Sequence, residues 1–406
     1  MARVCLIRQG FFPLDTRVRR EAHALLDAGH EVDVICLRGR DEPRRERLGA
    51  ITVHRLGLSH QRASSAARYV FQYAAFGVAA ALMAGALHFR RRWDVVQVNS
   101  LPDVLVFAAA IPKLLGARVL LDLHECMPEF FRVKFGVGGR HPAVRLIASA
   151  EQASIRFADR VITCTEQMRD AFVARGAPAD KIDVVLNAAD EAIFDARRHP
   201  PRGSRPPGFT LICHGAIERS YGLDTLVRAA ALVRDDIPGL RVRIYGDGTF
   251  RPELERLGRE LGLGEALQLS DGWAPMEELV DAIASADAGV VAMRRDVFRD
   301  LTHCNKMFDY IAMRRPAIVS RTRAVEAYFG ESCFALFEAG DERDLARAIM
   351  ALHDDPRRGE ELVRRAAEVS LPYSWAGQRR VYQGVVDSLV RPQDRADRAR
   401  AWRLAS

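Results

Sequence analysis

Leu301–Ser320 reads L-T-H-C-N-K-M-F-D-Y-I-A-M-R-R-P-A-I-V-S and holds a polar loop, a short helix and a buried strand in succession. Upstream, Ala288–Met293 (A-G-V-V-A-M) has the apolar run of a buried parallel strand. Downstream, Pro316 stops the helix and Ala317–Ser320 starts the next strand. The helix carrying Asn305, Lys306 and Asp309 therefore starts near a strand's carboxyl end, where open α/β sheets bind ligands. Its amino terminus offers free N–H groups and a positive dipole end to a phosphate. Lys306 adds a full charge, and Asp309 one turn later can accept hydrogen bonds from sugar hydroxyls. An ordinary crossover with solvated or capping polar residues fits the same pattern.

The same alternation surrounds this stretch. Phe209–Cys213 reads as a strand, His214–Gly222 as a loop and Leu223–Val233 as a helix. There follow a strand at Leu240–Tyr245, the turn Gly246-Asp247-Gly248, a helix at Pro252–Leu261, a strand at Leu267–Leu269 and a helix at Met276–Ala286. Asp344–His353, Glu360–Val369 and Tyr373–Val390 read as closing helices, ahead of the polar, arginine-rich tail 391–406. Residues 196–208, A-R-R-H-P-P-R-G-S-R-P-P-G, have the composition of a linker. The reading divides the chain into domains at 1–195 and 209–371, with a last helix at 372–390.

The first half opens with a strand at Ala2–Ile7, a loop containing Gly10 and Asp15, a helix at Thr16–Ala28 closed by Gly29, and a strand at Glu31–Leu37. This βαβ unit lacks G-x-G-x-x-G, so a dinucleotide fingerprint is absent; Gly10 reads as a turn residue or as a point of close ligand approach. Arg38–Arg47 reads as a charged loop and Ile51–Leu56 as a strand. Tyr69–Phe89 is the most apolar segment and would just span a bilayer. Its Ala and Gly content, Gln72 and the strand that follows at once suit a core or membrane-surface helix better. Its flanking arginines would draw anionic lipid at about 1 kcal/mol per charge. Val104–Leu115 reads as a helix. Arg118–Leu123 reads as a strand that delivers His124 and Glu125 to its carboxyl end, where a histidine can exchange a proton or a hydrogen bond, or serve structure alone. Phe130–His141, with Gly136, Gly138 and Gly139, reads as a loop before a long helix at Pro142–Phe157.

Composition narrows the classes. A chain of 406 residues, 49% hydrophobic, can bury two or three cores. Its net charge of +7 is carried mostly by arginine, but no helix-turn-helix, zinc-finger spacing or aromatic-basic RNA motif accompanies it, so no nucleic acid partner is expected. The seven scattered cysteines, without C-x-x-C, read as reduced core residues of a cytoplasmic protein. The amino terminus runs straight into a strand and lacks a signal peptide's apolar core. The fold class expected is α/β, with two doubly wound Rossmann-like domains facing across a cleft. Gly215, Arg219, Gly246, Gly248, Asn305 and Asp309 would line one face and take an anionic, ribose-containing ligand. Gly10, Asp15, Arg17, His124 and Glu125 would line the other and meet the transfer partner.

The runs D-T-R-V-R-R-E-A-H-A-L-L-D-A-G-H-E-V, D-V-V-Q-V-N-S-L-P-D, L-D-L-H-E-C-M-P-E, V-I-T-C-T-E, V-V-L-N-A-A-D, H-G-A-I-E-R-S-Y-G-L-D-T-L, Y-G-D-G and N-K-M-F-D-Y-I-A-M-R-R-P, in this order, resemble the retaining family-4 glycosyltransferases of GT-B fold. The resemblance implies transfer of a sugar from a nucleotide-diphosphate donor to an acceptor hydroxyl, without a metal or other cofactor. It implies that Asp309 holds the donor ribose and that the backbone of Thr302, His303, Cys304, Asn305 and Lys306 contacts the diphosphate and sugar. It further gives Arg219 and Lys306 the diphosphate charge, His124 a hydrogen bond to the transferred sugar, and Gly10 a place under the phosphates. The last helix is expected to pack back on the amino-terminal domain. The acceptor implied is a glycan or lipid-linked glycan of the cell surface, met at the cytoplasmic face of the inner membrane. Two departures stand out: Leu301, with Asp300 beside it, occupies the place of a first glutamate eight residues before Asp309, and Tyr221 that of a lysine. A catalytically silent scaffold subunit and a nucleotide-sugar epimerase on the same fold are the competing readings.

Overall fold

The structure, a computed structural model, describes residues 1–58, 66–200 and 208–390. The expected tail at 391–406 and most of the expected linker lie outside these residues. The chain divides into two compact units, Met1–Leu186 with Arg379–Ser406, and Asn187–Gln378.

The first unit runs β1 (Arg3–Phe11), α1 (Thr16–Asp27), β2 (Glu31–Leu37), β3 (Arg45–Leu48), β4 (Ile51–Leu56), α2 (Ala66–Arg91), β5 (Val95–Asn99), α3 (Ala110–Leu114), β6 (Arg118–Leu123), α4 (Met127–Phe135), α5 (Pro142–Phe157), β7 (Arg160–Thr163), α6 (Glu166–Ala174) and β8 (Ile182–Val184). Its sheet order is β3-β4-β2-β1-β5-β6-β7-β8, parallel except for the β3–β4 pair. Helices cover a parallel sheet on both faces, which is why its central strands are continuous apolar runs rather than alternating ones; β5 is buried at every residue.

Several expectations change here. The charged segment expected as a loop contains β3, an edge strand whose Arg45 and Arg47 stay at the surface. The glycine-rich stretch expected as a loop instead carries α4, which Gly136 closes at φ 64°. The helix expected at Val104–Leu115 is a 3-10 segment, Asp103–Ala109, followed by the single turn of α3. Gly10 lies inside β1, where the pairing with β2 shifts register between Ile7 and Phe11. It is a strand-irregularity residue and not a turn glycine.

The second unit runs β9 (Thr210–His214), α7 (Leu223–Val233), β10 (Arg241–Tyr245), α8 (Arg251–Glu260), β11 (Leu267–Leu269), α9 (Met276–Ser285), β12 (Ala288–Val291), α10 (Asn305–Ala312), β13 (Ala317–Ser320), α11 (Arg323–Tyr328), β14 (Ala335–Phe337), α12 (Glu342–Asp354), α13 (Pro356–Val369) and α14 (Trp375–Leu389). Its six parallel strands are ordered β11-β10-β9-β12-β13-β14. The order reverses between β9 and β12, so the loops leaving those two strands part and leave a crevice at their carboxyl ends.

The chain enters the second unit earlier than its composition suggests. Ala189 and Phe194 bury into that unit's core beside Met307 and Phe308, so the unit starts at Asn187 and not beyond a linker at 196–208. α14 starts in the second unit and ends in the first. There the Tyr382 hydroxyl donates to Gln97 Oε1 at 2.7 Å, Gln383 Nε2 donates to the Ala24 carbonyl at 2.7 Å and Arg379 meets Asp27 at 2.8 Å.

Candidate active site

In the second unit the predicted residues converge on the β9–β12 switch point. His214 ends β9, and Gly215 turns the chain at φ 99°. The turn after β10 is bonded to it: Gly215 N–H donates to the Tyr245 carbonyl at 2.8 Å and Ile217 N–H to that of Asp247 at 2.9 Å. A Cβ on Gly246 would sit 2.0 Å from the Gly215 oxygen, and one on Gly248 would sit 2.3 Å from the Ile217 oxygen. Only glycine allows two backbone segments to approach so closely.

The Lys306 side chain lies along this glycine turn; a Cβ on Gly215 would stand 2.8 Å from Lys306 Cε. Its Nζ sits 4.1 Å from the Tyr221 ring centroid, an arrangement that stabilises a cation electrostatically. Lys306 is 7% exposed, and among the described residues no carboxylate comes within ion-pairing distance of it. Burial works to lower its pKa, but Cys213, Cys304 and Tyr221 work the other way and prevail, so it remains an ammonium. Cys304 caps α10 without a side-chain hydrogen bond, and while Met307 N–H donates to its carbonyl at 3.1 Å, the Asn305 and Lys306 amides before it are left available.

Asp309, one turn along α10, lies 3.6 Å from His214 Nε2. Burial, with Lys306 adding to it, pushes the His214 pKa down to about 3, so a neutral imidazole stands beside the carboxylate. α10 is held down by Tyr310, whose hydroxyl donates to the Ile212 carbonyl at 3.1 Å. Its ring lies so close over Gly289 that a Cβ there would be 2.5 Å from it.

Other predicted residues stand elsewhere. Arg219 is 66% exposed, bound to Glu253 at 2.6 Å and stacked over Phe250 at 4.9 Å. Its charge is thus already matched by a carboxylate. His303 turns inward: Nε2 lies 3.2 Å from the Ala324 carbonyl, Tyr328 is edge-on at 4.6 Å, and burial pushes its pKa down to about 4. It is a core residue of the loop. Thr302 Oγ1 is buried without a hydrogen-bond partner among the described residues, and Asn305 is exposed at the first turn of α10. Asp300, beside the departure at Leu301, is engaged by Arg295 at 2.9 Å and by the Arg323 N–H at 3.1 Å, so it ties the loop to α11. The sequence reading missed His214 as a site residue, although its place between a buried strand and Gly215 could have marked it.

In the first unit, Asp15 caps α1 by accepting from Val18 N–H at 3.3 Å and pairs with Arg8 at 3.0 Å. Arg17 is half-buried, 3.5 Å from Asp122. Asp122 also accepts from Asn99 at 2.6 Å and contacts His124 Nε2. On its other side His124 Nδ1 meets Cys164 Sγ at 2.8 Å. Burial first, and Arg17 second, push the His124 pKa down to about 4, and burial pushes the Cys164 thiol up. The neutral imidazole thus donates to Asp122 and accepts from the thiol. Both ring nitrogens of His124, expected to give the sugar one hydrogen bond, meet residues of the unit itself. Glu125 follows in the bend before α4.

The ligand atoms of Glu21, Asp122 and His124 lie within 4.8 Å of one another, a cluster the sequence reading did not anticipate. Glu21 already accepts from Gln97 and Asn99, each at 2.8 Å. Burial, then Asp122, holds its carboxyl well above the usual range. With Arg17 alongside, these donors are spent on each other.

Two sequence families match the chain. Residues 14–188 match the Glycosyl transferase 4-like domain, and residues 208–355 match the Glycosyl transferases group 1 family. The chain belongs to the group 1 glycosyltransferases. Among curated relatives, a D-inositol 3-phosphate glycosyltransferase of Thermomonospora curvata is 28% identical over 58% of this chain and 57% of its own length. The sulfoquinovosyl transferase SQD2 of Arabidopsis thaliana is 23% identical over 70% of this chain and 54% of its own. The chain thus spans little more than half the length of these glycosyltransferases. Among solved structures, sucrose-phosphate synthase from Thermosynechococcus elongatus superposes with a TM-score of 0.74 at 19% identity, over 96% of this chain and 99% of that one. HepE of Anabaena, in complex with UDP-glucose, gives 0.70 at 14% identity over 96% and 100%. At such identities the likeness is one of fold, and that fold is GT-B.

Proposed function

We propose that this chain is a retaining, metal-independent glycosyltransferase that moves a sugar from a nucleotide-diphosphate donor to an acceptor hydroxyl. The observation that carries the reading is Lys306: its ammonium stands beside the glycine turn, 7% exposed and with no carboxylate partner among the described residues, so its charge is left for an anion to match. A donor diphosphate at the glycine turn would do so, with the α10 amides sharing its charge and the Asp309 carboxylate receiving the ribose hydroxyls. Gly215, Gly246 and Gly248 let the backbone approach the ligand. The UDP-glucose held by the HepE structure supports this donor class.

In the reaction the bond from the anomeric carbon to the diphosphate oxygen breaks, and a bond to the acceptor oxygen forms on the same face. The acceptor proton passes to the departing diphosphate. Lys306 and the α10 amino terminus stabilise the negative charge that develops on that leaving group, and this electrostatic stabilisation is what a metal would otherwise supply. In the first unit, His124 gives to the transferred sugar the nitrogen now held by Cys164, while Asp122 keeps its tautomer fixed. Arg17 and Glu125 belong to the acceptor side. The acceptor is a glycan or lipid-linked glycan of cell-surface polysaccharide, met at the cytoplasmic face of the membrane; a relative named as a lipopolysaccharide core biosynthesis glycosyltransferase supports an acceptor of this class.

A thermal-shift screen of UDP-, GDP-, ADP- and dTDP-sugars tests the reading, because a ligand at about a hundred times its Kd adds roughly 2.7 kcal/mol. The expected result is a shift with one base that is lost in Lys306→Ala and Asp309→Ala. Donor conversion without acceptor would instead mark an epimerase, and binding without turnover a silent subunit. A product of inverted anomeric configuration by NMR would overturn the retaining assignment.

A further inference from the structure

The exposed face of α2 has no role in the chemistry above. Val70–Arg91 is long and apolar enough to cross a bilayer by length and composition, yet only 22% of its most apolar window is buried. The sequence suits a core or membrane-surface helix; the structure buries just one side. Phe76, Ala80 and Ala84 are fully buried, and Ile111 of α3 packs so tightly on this helix that a Cβ on Gly85 would be 2.8 Å from its Cδ1. The opposite side carries Phe71, Val78, Leu82 and Phe89, exposed by 72%, 62%, 67% and 67%. At 100° per residue these four fall within an arc of about 40° and run roughly 27 Å along the helix. Leu114, at the end of α3, is 87% exposed.

The charge pattern identifies the occupant. α2 contains no aspartate or glutamate. Arg68 at one end and Arg90 and Arg92 at the other are exposed. Two copies of this face brought together would set arginine-flanked ends against each other, with no carboxylate on either helix to offset them. An anionic bilayer presents the complement: acyl chains for the stripe and phosphates for the arginines at either end. A helix whose other side is packed against its own domain cannot span that bilayer, so it lies in the interfacial plane.

We infer that the Phe71–Phe89 stripe of α2 seats the protein on an anionic lipid surface as an in-plane helix. This deepens the membrane-face acceptor reading and rests on it for its purpose, although the binding itself stands on α2 alone. The test is co-sedimentation of the full chain with vesicles of phosphatidylglycerol mixed into phosphatidylcholine, against phosphatidylcholine alone. Donor binding is measured in parallel as a check of fold. We expect the protein to pellet with the anionic vesicles and Leu82→Glu to weaken this by about tenfold or more. A paired Arg90→Glu and Arg92→Glu change should weaken it too, with donor binding unchanged in both. A tryptophan placed by Leu82→Trp should shift to the blue on vesicle addition and be quenched by brominated acyl chains. Wild-type protein left in the supernatant with intact donor binding would overturn the surface and spare the donor reading. So would equal pelleting of Leu82→Glu, or a wild-type dimer that Leu82→Glu converts to monomer. Pelleting without any donor binding would sink only the donor reading.

Discussion

Lys306 Nζ stands 4.1 Å over the ring of Tyr221, so the tyrosine that occupies an expected lysine position holds the lysine that remains. Arg299 approaches the same ring at 5.3 Å. Two cations, Lys306 and Arg299, thus share the Tyr221 ring.

Replacing Lys306 by Met keeps the length of the side chain and removes its charge. Ligand-free stability should change by no more than about 1 kcal/mol, because the packing is kept and only the contact of the ammonium with the Tyr221 ring is lost. Nucleotide-sugar affinity should fall by roughly 2–3 kcal/mol, on the order of a hundredfold. Urea unfolding and calorimetric titration read the two effects separately; a loss of both together would mean that Lys306 serves the fold.

The glycine turns make a second prediction. Ala at Gly246 puts a Cβ 2.0 Å from the Gly215 oxygen at φ 146° and should cost roughly 3 kcal/mol or more. Ala at Gly29, φ 78° with nothing within 4 Å, meets only the left-handed penalty of about 1–2 kcal/mol. Equilibrium unfolding of the two variants decides it, and equal costs would remove the close-approach argument.

Thiol chemistry offers a probe of the site without turnover. Six of the seven cysteines are buried, and Cys304, beside the α10 amino terminus, is partly exposed. One thiol should react quickly with an aromatic disulfide reagent in the native protein, Cys304→Ser should abolish that phase, and the cognate donor should slow it by about tenfold or more.

Acid sensitivity follows from the buried imidazoles. His303 has an ordinary pKa of 6.5 when unfolded and about 4 in the fold, and His214 moves in the same direction to about 3. The unfolded chain takes up these protons first. Their stabilisation is complete above about pH 6.5 and is lost as pH falls toward 4, amounting to about 2 kcal/mol per histidine by pH 5. Thermal midpoints of His303→Phe should decline less between pH 7 and 5 than those of the wild type.

Much of this protein was legible in its sequence because local rules govern it. α5, α7, β11 and β13 have the bounds that periodicity and breaker residues predict. The alternation of strands and helices determined two doubly wound units, and ordered motifs determined the family. Reading strand exits also placed Gly215, Gly246, Gly248, Lys306 and Asp309 near the β9–β12 crevice, since the carboxyl end of a parallel strand is a property of chain direction.

Tertiary structure alone decided how those side chains are spent. Arg219 and Lys306 are both cations near a glycine loop, yet one is matched by Glu253 and the other faces an aromatic ring. His303 is half-buried in an aromatic cluster, whereas His214 is buried at the switch point. The composition of α2 suits a core helix and a membrane-surface helix alike, and Phe194, which precedes the linker-like run 196–208, packs in the core of the second unit. The physical reason is common to all of these. Periodicity and composition depend on neighbours along the chain, whereas burial and charge pairing depend on residues brought together from far apart, such as Arg219 with Glu253 or Gly246 with Gly215.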